Sequence, residues 1–373
     1  MTTQLTNPPE KKSSRLLSLD VFRGLTIALM ILVNSPGNKT AYACLEHSVW
    51  NGCTLADLVF PFFIFIVGVS SVFSLSTSRK QGVSLNHLCL NIVKRSFLIF
   101  SIGLLLNAFP SHFDVETIRV FGVLQRIALC YFVTSLLFLY TSVRTQAIMT
   151  IALLIGYWLI MTLLSVPGYG EENNIAAMID RTLFSSNHLY GKTFDPEGLL
   201  STLPAIATAL LGNLTGVWLR TSKNPQQKLM GLRVAGLLML AAGGIWGLWF
   251  PINKTLWTSS YVLWTAGLAL LVLAGCYWSI EIKRHTKWSR FFEIFGVNAI
   301  TAYVLHVLFL KIQAMIILSL PDGSPVNLRL YITDILFGWA SLQNASLFYA
   351  LSYTLFWFII LAILYHKKIF IKL

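Results

Sequence analysis

The chemically most informative part of this sequence is a polar segment between two long apolar runs. Asn34 ends the first run, His47 lies in the following loop, and Asp57 begins the next run. A histidine titrates near neutral pH and can take a proton from an attacking amine or hydroxyl. An aspartate in reach could fix the imidazole tautomer, and an asparagine amide can stabilise a developing oxyanion. The sequence therefore predicts a reaction site, although no spacing rule distinguishes His47 from an ordinary loop histidine.

Other polar residues lie inside apolar runs, where charge is costly and often functional. Asp20 and Arg23 are close enough to share one helical face. They either form a local ion pair, or Arg23 holds a phosphate of a cytoplasmic cofactor, because guanidinium groups bind phosphate in a bidentate manner. Gln125 and Arg126 begin the fourth run. They predict a buried polar cluster, unless Arg126 extends to the membrane surface.

Two further polar residues, Asn298 and His306, occur in the ninth apolar run. Their spacing puts them on roughly one face of a helix. Such residues either contribute to a site or form hydrogen bonds between helices. The sequence leaves both interpretations open.

The elements that must position these residues are long apolar helices. Hydrophobic residues occupy 55% of the 373 positions and charged residues only 12%, which is more apolar sequence than one soluble core can bury. A helix needs about 20 apolar residues to cross a hydrocarbon layer about 30 Å thick. The sequence therefore predicts an all-α, polytopic integral membrane protein with about ten transmembrane helices. The runs lie near residues 19–35, 55–76, 91–109, 120–141, 146–166, 199–220, 229–250, 257–280, 291–319 and 345–366.

The distribution of positive charge predicts the orientation of these helices. If the N-terminus is inside, nineteen of the 28 lysines and arginines face the cytoplasm, as the positive-inside rule requires. The net charge of +13 is then explained by topology, and no nucleic-acid partner is expected. Both termini are predicted to be cytoplasmic. The outer loops keep Lys39, Arg119, Arg181, Lys192, Lys254 and Arg329, and three basic residues remain within helices, namely Arg23, Arg126 and Lys311.

The loops offer two weaker signals. Acidic residues outnumber basic ones in the long outer loop over residues 166–197, which suits an amine-bearing substrate and equally suits any solvated loop. Cys44 and Cys53 fall in the first outer loop and could form a disulfide in an oxidising periplasm, with free thiols as the default. Residues 328–341 are too short and too polar to span a membrane.

Several stretches of the chain, in order, resemble the heparan-α-glucosaminide N-acetyltransferase family of transmembrane acetyltransferases. They extend from residue 18 to about residue 310, so the resemblance covers most of the chain. The stretches are Ser18-Leu19-Asp20-Val21-Phe22-Arg23-Gly24, Val33-Asn34, His47 through Pro61, Gly122 through Arg126, Phe194-Asp195-Pro196-Glu197-Gly198, Asn253-Lys254-Thr255-Leu256-Trp257, and Gly296-Val297-Asn298-Ala299-Ile300.

This resemblance implies acetyl transfer from cytoplasmic acetyl-CoA to an amino sugar or related glycan on the far side of a bacterial inner membrane. His47 would be the general base or a transient acetyl carrier, with Asn34 and Asp57 as the other catalytic residues. We expect acetyl-CoA as co-substrate and no metal. The lipid bilayer is an expected partner, and the chain acts either alone or as a homodimer. Cofactor binding is assigned to Arg23, Gln125, Arg126, Asn298 and His306.

The predicted domain organisation is simple. Residues 1–15 are polar and contain proline, which predicts a disordered cytoplasmic N-terminus. Residues 16–373 form a single transmembrane acyltransferase domain.

Two other functions remain open at this stage. An O-acyltransferase of the cell envelope would use the same histidine on a hydroxyl, and only product analysis would separate it from an N-acetyltransferase. A transporter of a sugar or lipid-linked substrate would line a pathway with the polar residues inside the membrane. Transporters commonly have repeated halves, and this sequence has no visible repeat.

Overall fold

The computed structural model describes residues 16–111, 113–164, 169–320 and 323–371, and these residues are predominantly helical. The predicted disorder of residues 1–15 lies outside the described residues. The helices are α1 (Leu17–Asn34), α2 (Leu55–Lys80), α3 (Leu85–Ala108), α4 (Val123–Tyr140), α5 (Val143–Leu164), α6 (Ile175–Phe184), α7 (Thr202–Leu219), α8 (Pro225–Trp246), α9 (Ser259–Tyr277), α10 (Ser289–Val297), α11 (Ala299–Met315), α12 (Leu328–Phe337) and α13 (Leu342–His366). Two short strands, β1 (Ile317–Ser319) and β2 (Pro325–Asn327), pair antiparallel.

The helix lengths confirm the predicted fold class. Among the described residues, nine helices are long and apolar enough to cross a membrane, or ten if α10 and α11 are counted as one bent span. The chain is therefore an all-α, polytopic integral membrane protein. The short helices α6 and α12 lie in segments between the spans, and α12 occupies part of the region predicted to be too short to cross.

The ninth apolar run differs from the continuous helix expected over residues 291–319. It forms α10 and α11, which meet at an angle of 78° around Asn298. The Asn298 side chain donates from Nδ2 to the carbonyl of Ile369 (3.1 Å) and accepts at Oδ1 from the amide of Ile371 (3.0 Å). These contacts tie the bend to the C-terminal segment, which explains why hydropathy alone did not reveal it.

The helices pack in close pairs, with α2 against α7 and α8 against α9. A side chain at Gly212 would place its Cβ 2.1 Å from the carbonyl oxygen of Phe65, and one at Gly243 would place it 2.5 Å from the amide nitrogen of Trp264. Only glycine permits these backbone approaches. Glycine at these two positions therefore allows the close packing of α7 on α2 and of α8 on α9.

Burial separates central helices from peripheral ones. In the most apolar 18-residue stretch of each helix, 67% of the residues of α2 and 78% of those of α7 are buried inside the protein. In α5 and α8 only 22% of the residues of that stretch are buried. The peripheral helices expose leucine, isoleucine and tryptophan side chains suited to lipid contact. The central helices form the rigid frame for the polar residues considered below.

The structure has all five cysteines as free thiols. Cys44 is exposed, and Cys53 is half-buried beside Asp57. Burial and the nearby carboxylate raise the pKa of Cys53 to about 12. The structure thus agrees with the default prediction that Cys44 and Cys53 are free thiols.

Candidate active site

A cavity of about 400 Å³ opens where four interhelical connections meet at one end of the bundle. These connections join α1 to α2, α3 to α4, α6 to α7, and α8 to α9. Polar residues from them form the mouth, and apolar residues of α1, α2, α4 and α11 form the deeper wall. The polar lining includes Asn34, His47, Asp57, Arg119, Glu197 and Lys254, and the apolar lining includes Met30, Phe60, Phe63 and Ile127.

His47 and Asp57 form a hydrogen-bonded pair in the cavity. The Nδ1 atom of His47 lies 2.8 Å from Oδ1 of Asp57. An ionised carboxylate can only accept a hydrogen bond, so this contact assigns the ring proton to Nδ1. The Nε2 atom then keeps a lone pair. Half of the His47 side chain is exposed, and the residue lines the cavity.

Asp57 is held by the beginning of α2. It is the third residue of that helix, and its Oδ2 accepts from the backbone amides of Thr54 (3.0 Å) and Ser48 (3.1 Å). These bonds form the capping arrangement of a helix N-terminus, where the macrodipole favours negative charge. The Asp57 side chain is buried, and the hydroxyl of Tyr261 donates to its backbone carbonyl at 2.6 Å. One carboxylate thus both caps α2 and orients His47.

Lys254 reaches the same pair from the α8–α9 connection. Its Nζ lies 3.0 Å from Nδ1 and 3.2 Å from Nε2 of His47, and 3.5 Å from Oδ1 of Asp57. Burial lowers the pKa of Lys254, and the carboxylates of Asp57 and Glu197 act in the opposite direction. The site therefore combines a carboxylate, an imidazole and an ammonium group within hydrogen-bonding range of one another.

The backbone around Lys254 is tightly fixed. The Asn253 side chain accepts from the amide of Leu256 (2.8 Å), and its own backbone exchanges hydrogen bonds with Thr258. Trp257 is buried with a positive φ of 52°, a conformation that side-chain-bearing residues rarely adopt. Asn253 also donates to Asn51 (3.2 Å), which joins this connection to the loop that carries His47.

Asn34 lies at the last position of α1 and lines the same cavity. Its side chain is exposed and forms no hydrogen bond with the described residues. The amide is therefore available to a molecule in the cavity. The structure brings the three residues singled out from the sequence, Asn34, His47 and Asp57, to one cavity, and their catalytic roles remain predictions.

A second charged cluster lies on the opposite wall. Arg119 donates from Nε to Oδ2 of Asp195 (2.8 Å), from one terminal nitrogen to Oδ1 of Asp195 (2.5 Å), and from that nitrogen also to Glu197. Burial disfavours the charged guanidinium, but the two carboxylates outweigh it and raise the pKa of Arg119. The guanidinium also stacks over the ring of Tyr190 at 4.8 Å. Two acidic residues of the segment over residues 166–197 are thus structural partners of Arg119, and Glu197 also faces the cavity.

Gln125 and Arg126 lie behind the cavity wall. Arg126 is buried, donates to the carbonyl of Gly198 (3.1 Å) and to Ser201, and stacks over Trp257 at 5.0 Å. Its Nε and other terminal nitrogen have no partner among the described residues, and neither has Nε2 of Gln125. The buried polar cluster predicted from the sequence is present. A role in cofactor binding stays a prediction, because neither residue lines the cavity.

The other three residues assigned to the cofactor are also away from the cavity lining. Arg23 donates to Asp20 (3.1 Å), to Ser70 of α2 (2.6 Å) and to the carbonyl of Gly296. Asn298 holds the C-terminal segment. His306 is buried in α11, with Nδ1 bonded to the carbonyl of Ala302. These contacts are structural, and cofactor contact by any of the three stays a prediction.

Sequence reasoning missed Arg119, Glu197 and Lys254 as site residues. Two of them lie in stretches that carry the family resemblance, around residues 194–198 and 253–257, so the signal was present. Nothing in the local sequence singles out Arg119. Its position follows only from a contact with residues more than seventy positions later.

Comparison with known proteins identifies the family of this chain. Residues 15–250 match the sequence model of a family described as "Heparan-alpha-glucosaminide N-acetyltransferase, catalytic". The heparan-alpha-glucosaminide N-acetyltransferase of Homo sapiens is 31% identical over 424 aligned residues, which cover 96% of this chain and 60% of the human protein. The Mus musculus protein of that name is 32% identical over 361 residues, covering 80% of this chain and 54% of the mouse protein. The chain thus spans less than two thirds of the length of these relatives.

Proposed function

Because this chain belongs to the heparan-alpha-glucosaminide N-acetyltransferase family, we propose that it transfers an acetyl group from cytoplasmic acetyl-CoA to an amino sugar or related glycan across the membrane. The relatives are named for transfer to a glucosaminide nitrogen. The observation that carries the proposal for this chain is the His47–Asp57 pair at a cavity of about 400 Å³. The pair supplies the base, and the cavity supplies space for the reacting groups.

In the proposed reaction His47 acts as general base. Its Nδ1–H bond to Asp57 leaves Nε2 as the proton acceptor, and Asp57 stabilises the imidazolium that forms. The acceptor nitrogen attacks the thioester carbonyl carbon, and His47 takes the nitrogen's proton. The C–S bond then breaks, and the proton passes to the departing thiolate. Atoms and charge balance without a metal.

Asn34 is the proposed hydrogen-bond donor to the carbonyl oxygen. Negative charge develops on that oxygen during attack, and a positioned amide stabilises it more than it stabilises the neutral ground state. The exposed, unengaged amide of Asn34 at the cavity supports this role. It is contributed by the last turn of α1, one of the apolar helices that frame the site.

The proposed sidedness rests on charge. Every loop that contributes to the cavity mouth is one that the positive-inside rule assigns to the outside. CoA carries several negative charges and does not cross a bilayer, so its acyl end must approach from the opposite, cytoplasmic end of the bundle. Arg23 and basic residues at the inner helix ends are the proposed contacts of its phosphates. The protein would then lie in a bacterial inner membrane with both termini in the cytoplasm.

The proposed acceptor is an amine. Asp195 and Glu197 carry two negative charges, and their partner Arg119 carries one positive charge. The cluster therefore has a net negative charge, and Glu197 faces the cavity. This excess of negative charge favours binding of a protonated amino sugar over a neutral sugar, and the bound ammonium releases one proton to solvent before its nitrogen attacks. A hydroxyl acceptor would have no comparable electrostatic attraction.

The test is acetyl transfer by the purified protein. It would be incubated with acetyl-labelled acetyl-CoA and a panel of amino sugars, with the corresponding neutral sugars as matched controls. We expect labelled N-acetyl product from amino sugars only. O-acetylated product would favour an envelope O-acyltransferase, and sugar movement into proteoliposomes without any acetyl transfer would favour a transporter.

A further inference from the structure

The cavity contains a cation placed beside the proposed base, and its position suits the reacting oxygen. We propose that Lys254 is a catalytic residue whose ammonium group stabilises the oxyanion that forms during acetyl transfer. This inference rests on the proposed function. It adds a charged donor to the neutral amide of Asn34.

Distance is the first argument. The Lys254 Nζ lies 3.2 Å from Nε2 of His47, the atom that receives the acceptor's proton. An acceptor nitrogen bonded to Nε2 lies about 3 Å from it, and the carbonyl carbon under attack is adjacent to that nitrogen. The carbonyl oxygen on that carbon then lies within a few ångströms of the Lys254 ammonium. Effective oxyanion donors lie about 3 Å from the developing charge.

The other basic residue that could stabilise the oxyanion, Arg119, already has acidic partners. Among the described residues that line the cavity, Arg119 is the other residue of the lysine and arginine type, and Asp195 and Glu197 both accept hydrogen bonds from it. Lys254 has no such bidentate partner. Its acidic neighbour is Asp57, at 3.5 Å, and the closer acceptor atom of Asp57 is shared with His47. An ammonium has several N–H donors, so contact with Asp57 leaves others for a substrate oxygen.

The position of Lys254 is preorganised. The hydrogen bonds of Asn253 and Thr258 fix the turn, and the buried Trp257 ring anchors it through a bond to Thr208 at 3.1 Å. The Lys254 side chain is 18% exposed, so water screens its charge only weakly. A fixed charge in a water-poor site stabilises a transition state without a reorganisation cost. These features are expected of a catalytic cation.

The reaction step is balanced without net change at Lys254. Attack by the acceptor nitrogen forms the N–C bond and moves the carbonyl electron pair onto oxygen, which accepts a hydrogen bond from Nζ. Collapse reforms C=O and breaks C–S. The proton taken by His47 leaves with the CoA thiol, and Lys254 ends as the ammonium with which it began.

The role of Lys254 predicts how the rate of acetyl transfer changes with pH. The charged form is the active one, so activity falls as pH rises through the pKa of Lys254. Burial lowers that pKa, and the descending limb should therefore occur at a lower pH than for an exposed lysine. The ionisable groups that face Lys254 are His47, Cys53, Asp57 and Glu197, with Arg119 across the cavity. Arginine at this position would stay charged and move the descending limb to higher pH.

The experiment compares Lys254→Met and Lys254→Arg with Lys39→Met, which removes an exposed lysine of the first outer loop outside the cavity. We expect Lys254→Met to lower kcat by about 10²- to 10³-fold with little change in the KM for acetyl-CoA, since one oxyanion donor is lost. Lys254→Arg should recover part of kcat and shift the descending limb upward. Lys39→Met should match the parent protein. Thermal unfolding and gel filtration establish that each variant is folded.

The outcomes separate this inference from the proposed function. A folded Lys254→Met protein with the parent kcat would overturn the inference, and so would a descending limb that Lys254→Arg leaves in place. In either case, strong loss of transfer in His47→Ala would leave the proposed function standing. Absence of transfer by the parent protein itself would overturn both.

Discussion

The carboxylate of Asp57 lies 2.8 Å from Nδ1 of His47 while it also accepts hydrogen bonds from the backbone amides of Ser48 and of Thr54, the N-cap of α2. Because the helix terminus fixes the carboxylate, the carboxylate in turn fixes the orientation and tautomer of the imidazole. The geometry of the proposed catalytic pair is thereby built into the start of a membrane-spanning helix. A loop histidine thereby acquires a defined orientation at the cavity.

The first prediction concerns Asp57. Asp57→Asn should reduce acetyl transfer less than His47→Ala does, because the amide still contacts the ring but does not stabilise an imidazolium as a carboxylate does. It should also lower stability by about 1–3 kcal/mol, since hydrogen bonds to a buried charged acceptor are lost. Thermal unfolding in detergent measures the second effect. Unchanged stability together with unchanged turnover would show that neither role of Asp57 matters.

Much of the fold could be predicted because the membrane imposes a length rule. With one exception, each predicted run of about 20 apolar residues forms a helix whose ends lie within six positions of the expected ones. The exception is the run that contains Asn298. Its bend depends on bonds to Ile369 and Ile371, more than seventy residues away, and no periodicity in the run encodes that contact.

The site could be predicted only in part, for a related reason. His47 and Asp57 are near in sequence and flank the start of one helix, so their approach is a local matter. Lys254 reaches His47 across 207 positions of sequence. Such contacts depend on how the helices assemble, and the family resemblance indicated the stretch but not the role.

For Asn34 we expect a selective effect on turnover. Asn34→Ala should lower kcat by up to about 10²- to 10³-fold if its amide supports the oxyanion. Stability should change little, because the exposed side chain bonds to none of the described residues. Steady-state kinetics measure the effect, with Asn86→Ala as a matched control at another exposed asparagine, outside the cavity lining. A normal kcat in folded Asn34→Ala would remove Asn34 from the mechanism.

Arg23 tests the proposed position of the cofactor. Arg23→Gln should raise the KM for acetyl-CoA more than it lowers kcat, because a phosphate contact would be lost. Lys80→Gln, at an exposed position at the end of α2, is the control for general loss of positive charge. A normal KM with a lower melting temperature would instead identify Arg23 as a structural link between α1, α2 and α10.

The orientation can be tested with a cysteine already in the protein. Cys44 is exposed in the same loop as His47 and should react with a membrane-impermeant maleimide added to intact cells from the outer side. Cys44→Ser should abolish that labelling. A cysteine introduced in place of Lys80 should react only after the membrane is opened. The reverse pattern would contradict the orientation and the cross-membrane reaction.

The central claim is that His47 is the base for acetyl transfer, and the most direct measurement compares purified parent protein, His47→Ala and His87→Ala with labelled acetyl-CoA and an amino-sugar acceptor. His87 is exposed in α3 and lies outside the cavity, so its removal controls for loss of a histidine. We predict that His47→Ala remains folded and binds CoA but transfers acetyl groups about 10²-fold more slowly or worse. His87→Ala should transfer at the parent rate. Normal transfer by folded His47→Ala would contradict the account and make His47 an ordinary loop residue.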